Sequence, residues 1–293
     1  MIVFKGSGGV RSGWRFAGFL VLALGVIFLL SSYFEPFAAK LLHIDDSTIN
    51  APVILLNELG LYFIAVLIAT SVAARLEHRR IDSYGLPIRE AFGPKYWEGI
   101  VLGIVAAGAV AIGMLAFRGF VIFGFALHGS QWFVQPVLYA LAMIFVGITE
   151  EYLFRGYLLQ SLARGIGFWP AAVITTLLFG ALHLTKNDEN FIDIFNIMAL
   201  GLLTCFMLRR TGGLWMAAGF HAAFDFMQFF VIGSSNGGQL PEGVLLNATF
   251  PGSAWVNGGQ LGTEASWFMF PVMIALFGYV MWRYPKNRPL STD

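Results

Sequence analysis

Apolar runs of about 20 residues dominate the chain, separated by short polar or glycine-rich stretches. A helical run of that length matches the hydrocarbon thickness of a bilayer. The pattern predicts about eight transmembrane helices, over roughly 14–34, 52–74, 97–117, 131–153, 169–185, 191–208, 213–232 and 266–282. The first run follows Lys5, Arg11 and Arg15, as a signal peptide would. Its apolar core is too long for a signal h-region and no clear small-x-small cleavage site follows, so it reads as a retained span. The expected fold class is all-α: a polytopic integral membrane protein with one membrane domain over 1–293 and no internal repeat.

Between the runs, 75–96 is polar and basic with Pro87 and Pro94, and reads as a connector whose Tyr84, Tyr96 and Trp97 suit an interface. Residues 118–130 are apolar but too short to span, which predicts a re-entrant or interfacial piece with His128 as an interfacial residue. The Gly-, Ser- and Asn-rich stretch 233–265 holds no Lys or Arg and reads as an external loop. Of the 18 Lys and Arg residues, only Lys40, Arg118 and Lys186 fall in segments on one side of the predicted membrane. The positive-inside rule therefore places both termini in the cytoplasm.

Composition agrees with a membrane protein. The chain is 57% hydrophobic and 12% charged, against about 25% charged for a soluble domain. A net charge of +1 and the lack of a basic run give no reason to expect nucleic acid. A single cysteine, Cys205, excludes an intrachain disulfide and reads as a packing residue.

Against this background, six polar residues inside apolar runs carry the chemistry. They are Glu150, Glu151 and Arg155 in EEYLFR, His183 in FGALH, and His221 with Asp225 in HAAFD. An ionisable group at bilayer depth costs roughly 2.5–3.5 kcal/mol on insertion scales, so such groups are retained for a function. Acids and histidines together move protons or bind metals. Glu151 and Arg155 are i,i+4 and are expected to pair as a structural brace, leaving Glu150 as the available carboxylate. The turn signals in GIGFWP (165–170) predict a helical hairpin centred near Gly167, which brings Glu150 and His183 to the same level. His221 and Asp225 are i,i+4 and share one face. Phe179 is i,i+4 before His183 and packs beside it, either as a plain core aromatic or as part of a substrate groove.

Two other matches carry no weight. Gly233 to Gly237 fits G-x-S-x-G but lacks the strand–turn–helix setting that motif needs. Asn247-Ala248-Thr249 is a glycosylation sequon with meaning only in a eukaryote. There is no H-E-x-x-H, which argues against the site-2 type of zinc protease.

EEYLFR, FGALH and HAAFD resemble the E-E-x-x-x-R, F-x-x-x-H and H-x-x-x-N/D motifs of the CAAX-protease and bacteriocin-processing family of intramembrane proteases. The resemblance covers about 145–230, within a family-like core of about 131–232. It implies an endopeptidase acting on a membrane-associated peptide or protein, with Glu150 activating water, His183 assisting, and His221 with Asp225 as the oxyanion-stabilising pair. Position 225 departs from the Asn common in prenyl-protein-processing members. An ionised Asp accepts hydrogen bonds only, so either Asp225 is protonated or, in the preferred reading, it orients His221 and keeps it cationic, leaving His221 as the donor.

Glu150, His183, His221 and Asp225 would also suit zinc, although the metal-free site is the preferred reading and no cofactor is favoured. A proton-coupled transporter and a non-catalytic scaffold or immunity factor are the competing functions. The expected partners are the substrate and the lipid bilayer. A bacterial source would imply the plasma membrane, a eukaryotic one the endoplasmic reticulum.

Overall fold

The computed structural model describes residues 5–6, 9–43, 49–183, 191–235 and 239–288. Each predicted apolar run forms a helix: α1 (Ser12–Leu42), α2 (Ala51–Leu76), α3 (Pro94–Ala116), α4 (Gln131–Ile166), α5 (Phe168–His183), α6 (Phe191–Thr211), α7 (Trp215–Ile232) and α8 (Met269–Arg283). Five of them, α1 to α4 and α7, are long and apolar enough to cross a membrane among the described residues, while α5 and α8 carry shorter apolar stretches. The protein is a multi-pass, mostly helical integral membrane protein.

Start and stop signals act locally. Pro stands in the first turn of α2 and α3, where its missing N–H is not needed, and Asn50 caps α2 by accepting from the Val53 N–H at 3.0 Å. Helix α4 continues well beyond residue 153, where the apolar run was expected to end, because Arg155 is buried and answered by Glu151. It stops only at Gly167, whose φ of 88° falls where glycine is favoured. The predicted hairpin turn is thus a single glycine.

The closest helix contact joins α3 to α7. A Cβ added to Gly99 would lie 2.1 Å from the Met216 carbonyl oxygen, and one on Gly103 would lie 2.4 Å from that of Phe220. The reverse approach is as tight: a Cβ on Gly219 would lie 2.2 Å from the Tyr96 carbonyl oxygen. Gly99 and Gly103 form a G-x-x-x-G pair, the spacing that lets two helix backbones touch where lipid offers no hydrophobic drive. Gly147 on α4 meets α7 similarly, at 2.6 Å from the Ala218 carbonyl oxygen. Helix α7 is therefore held by backbone contact on two sides.

The 118–130 piece contains a strand, β1 (Val121–Phe125), paired antiparallel with β2 (Leu246–Thr249) in the glycine-rich stretch, with an irregularity between Ile122 and Gly124. Backbone that is not helical must find partners elsewhere, and these two segments satisfy one another. Part of the chain that follows is also packed. Thr263 and Ser266 are fully buried, and Asn196 Nδ2 of α6 donates to the Glu264 carbonyl oxygen at 2.8 Å.

At one end of the bundle Glu77, just past α2, gathers partners from distant segments. It accepts from Arg15 at 2.8 Å, Tyr157 at 2.7 Å, Tyr84 at 3.1 Å and Arg164 at 2.8 Å. Burial pushes its carboxyl up, but the hydrogen bonds and charges of these partners outweigh this and hold it below the usual carboxylate range.

Three buried apolar clusters fill the bundle, represented by Phe154 and Phe179, by Phe220 and Phe224, and by Met143 and Val146. All six of these residues line the cavity where the clusters meet.

Candidate active site

The cavity has a volume of about 590 Å³, within the usual range for small-ligand sites. Its polar wall comes from several helices: Glu150, Glu151 and Arg155 from α4, His221 and Asp225 from α7, and Glu58 from α2. Five of the six residues singled out in the sequence thus line one space. The sixth, His183, ends α5, and its side chain lies outside the described residues.

His221 is the hub. Its Nδ1 lies 3.0 Å from Glu151 Oε1, while its Nε2 lies 3.5 Å from Asp225 Oδ2 and 3.6 Å from Glu150 Oε2. Both nitrogens therefore face carboxylates. The division of labour differs from the expectation in one respect: Glu151 is more than a brace. It stands 3.5 Å from Arg155 Nη1 and also makes the shortest contact to His221, while Asp225 sits farther off at the other nitrogen. Adjacent glutamates point about 100° apart on a regular helix, so they reach opposite nitrogens of the imidazole.

Arg155 is fully buried, and Phe179 accounts for much of its setting. The guanidinium carbon lies 4.7 Å from the Phe179 ring centroid and 5.7 Å from that of Phe154, an arrangement that stabilises a cation against aromatic faces. Gly201 on α6 leaves the room, since a Cβ there would come within 2.7 Å of Arg155 Nη2. Phe179 also lines the cavity, so it serves the core and the wall together.

Glu58 went unnoticed in the sequence although it lies inside the predicted 52–74 run. The signal was present: a lone carboxylate at bilayer depth calls for the same question as Glu150. Its charge interacts with Glu150, His221 and Asp225, and its Oε2 is buried with no hydrogen-bond partner among the described residues. The helix widens into π-helical turns at Glu58–Phe63, Tyr152–Leu158 and Phe226–Ile232. Each of these begins at or directly after a cavity acid, Glu58, Glu151 or Asp225, while a fourth such turn, Leu30–Phe34, follows none. Such turns recur at functional sites because they shift the phase of a helix face.

Among the described residues, no three His, Cys, Asp or Glu side chains are arranged to hold a metal ion. Each contact around His221 is instead an ion-pair or hydrogen-bond distance between its ring and an acid.

Residues 130–227 match the family model described as type II CAAX prenyl endopeptidase Rce1-like. The match supports a place in the CAAX protease-like family. A search of curated proteins finds no match. The matched segment spans α4 to most of α7 and contains every site residue above except Glu58. The match supports a CAAX-type intramembrane endopeptidase in general. With the apolar helices it points to a protein substrate and a lipid bilayer as partners.

Proposed function

We propose that the protein is an intramembrane endopeptidase in which Glu150 activates the attacking water. The observation that carries this reading is the arrangement of Glu150, Glu151 and Asp225 around the two nitrogens of His221, on the wall of a cavity to which the family-matched helices contribute all four residues. Glu150 takes a proton from water as the water oxygen bonds to the scissile carbonyl carbon. The carbonyl oxygen becomes an oxyanion and accepts from His221 Nε2. Contacts of 3.5 and 3.6 Å to Asp225 and Glu150 are longer than strong hydrogen bonds, so a substrate oxygen competes well for that proton. Collapse breaks the C–N bond, and Glu150 returns its proton to the departing amine. Glu151 holds Nδ1 and so sets the ring's orientation, while His183 assists Glu150 by virtue of the family resemblance.

The experiment is cleavage of a membrane-embedded peptide by purified protein. Glu150→Ala and His183→Ala should each abolish cleavage while the folded protein persists. A phenotype retained by both variants would favour a scaffold or immunity factor instead. The zinc-dependent version assigns Glu150, His183, His221 and Asp225 as ligands. Metal analysis with chelation decides between the two, since complete loss of activity with zinc-specific rescue would replace the metal-free mechanism.

A further inference from the structure

The cavity wall is short of cations. Among the described residues lining it, Arg155 is the sole Lys or Arg, whereas the acids are Glu58, Glu150, Glu151, Asp225 and Glu264. Arg155 answers Glu151, and His221 stands among Glu150, Glu151 and Asp225. Glu58 makes no ion pair among the described residues, and its Oε2 is buried with no hydrogen-bond partner there. The adjoining Asn57 Oδ1 is also buried and undonated, and both residues belong to the cavity wall. A buried acceptor without a donor forfeits the hydrogen bonds it would make in water, and the cost is greater when it is charged. Both residues line the cavity, so a donor carried in by a bound substrate would satisfy these acceptors. Lysine and arginine side chains present only donors and positive charge.

We propose that Asn57 and Glu58 form a subsite for a cationic side chain of the substrate, a Lys ammonium or an Arg guanidinium. This rests on the reading of the cavity as a peptidase site. It adds a specificity determinant from α2, outside the segment that matches the family.

The test uses the full chain in nanodiscs carrying Glu150→Gln to prevent turnover. The probes are lipidated fluorescent peptides with a single lysine scanned through the sequence, each beside a twin with norleucine at that position. At one register the lysine peptide should bind at least about tenfold more tightly than its twin. Adding Glu58→Gln should bring that ratio to within about twofold, through weaker binding of the lysine peptide. Glu58→Asp, which keeps the charge, should restore part of the preference. Equal binding of the two peptides at every register, as when Glu58 is satisfied from within the protein, overturns the proposal. A preference that survives Glu58→Gln overturns it as well. If Glu58→Gln does not fold, the lysine ratio of the parent and of Glu58→Asp decides. Cleavage of the same peptides by protein with Glu150 intact is read separately by mass spectrometry. Its absence would sink the peptidase reading, while the binding ratio still judges Glu58.

Discussion

At the level of single residues, the buried charges depend on one another. Arg155 is fully buried and is balanced by Glu151 and by the face of Phe179. Removing one member of a buried pair leaves an uncompensated charge, at a cost of about 3–5 kcal/mol. Arg155→Met is therefore expected to lower the unfolding midpoint of the purified protein sharply, and to reduce cleavage because Glu151 would no longer be held against His221. A midpoint unchanged within error would mean the pair holds nothing. Asp225 stands at Nε2 of His221, on the side away from Glu151. If a carboxylate there is needed to keep His221 a donor, Asp225→Asn should lower kcat with little change in KM. Full activity in that variant would show that the charge is dispensable.

Among elements, α7 matters most, because it carries His221 and Asp225 and is placed by glycines on its neighbours. Gly103 leaves no space for a side chain: even a Cβ would lie 2.4 Å from the Phe220 carbonyl oxygen, one residue from His221. Gly103→Leu should push α7 away from α3, cutting cleavage at least about tenfold even where the protein still folds, since misplacement by about 1 Å is costly in a catalytic site. Parallel measurement of melting and turnover separates the two effects. Wild-type turnover in this variant would show that the glycine contact does not position the site. The G-x-x-x-G spacing was readable in the 97–117 run. Its partner helix was not, because spacing marks a face and does not name what packs on it.

Across the whole molecule, the Glu77 cluster ties α1, α2, α4 and the 75–96 connector together. Because folding lowers the carboxyl pKa of Glu77, its stabilisation is fully present above the unfolded carboxylate value. It is lost as pH falls through the lower folded value. Unfolding midpoints should therefore drop on acidification through and below the ordinary carboxylate range, and Glu77→Gln should flatten that part of the curve while lowering stability at neutral pH. An unaltered acid limb in the variant would remove Glu77 from the account.

Much of the architecture is legible in residue order, because the bilayer makes helix length and apolarity obligatory and i,i+4 spacing shows which residues share a face. The eight apolar runs, the brace of Glu151 and Arg155, and the shared face of His221 and Asp225 follow from those local rules. Only the tertiary structure brought Glu58 to the cavity wall, turned Glu151 towards His221, and joined β1 to β2. Each depends on the relative rotation and approach of segments far apart in the chain. Glycine contacts and π-helical turns set that geometry, and neither leaves a periodic signal in the hydrophobic pattern.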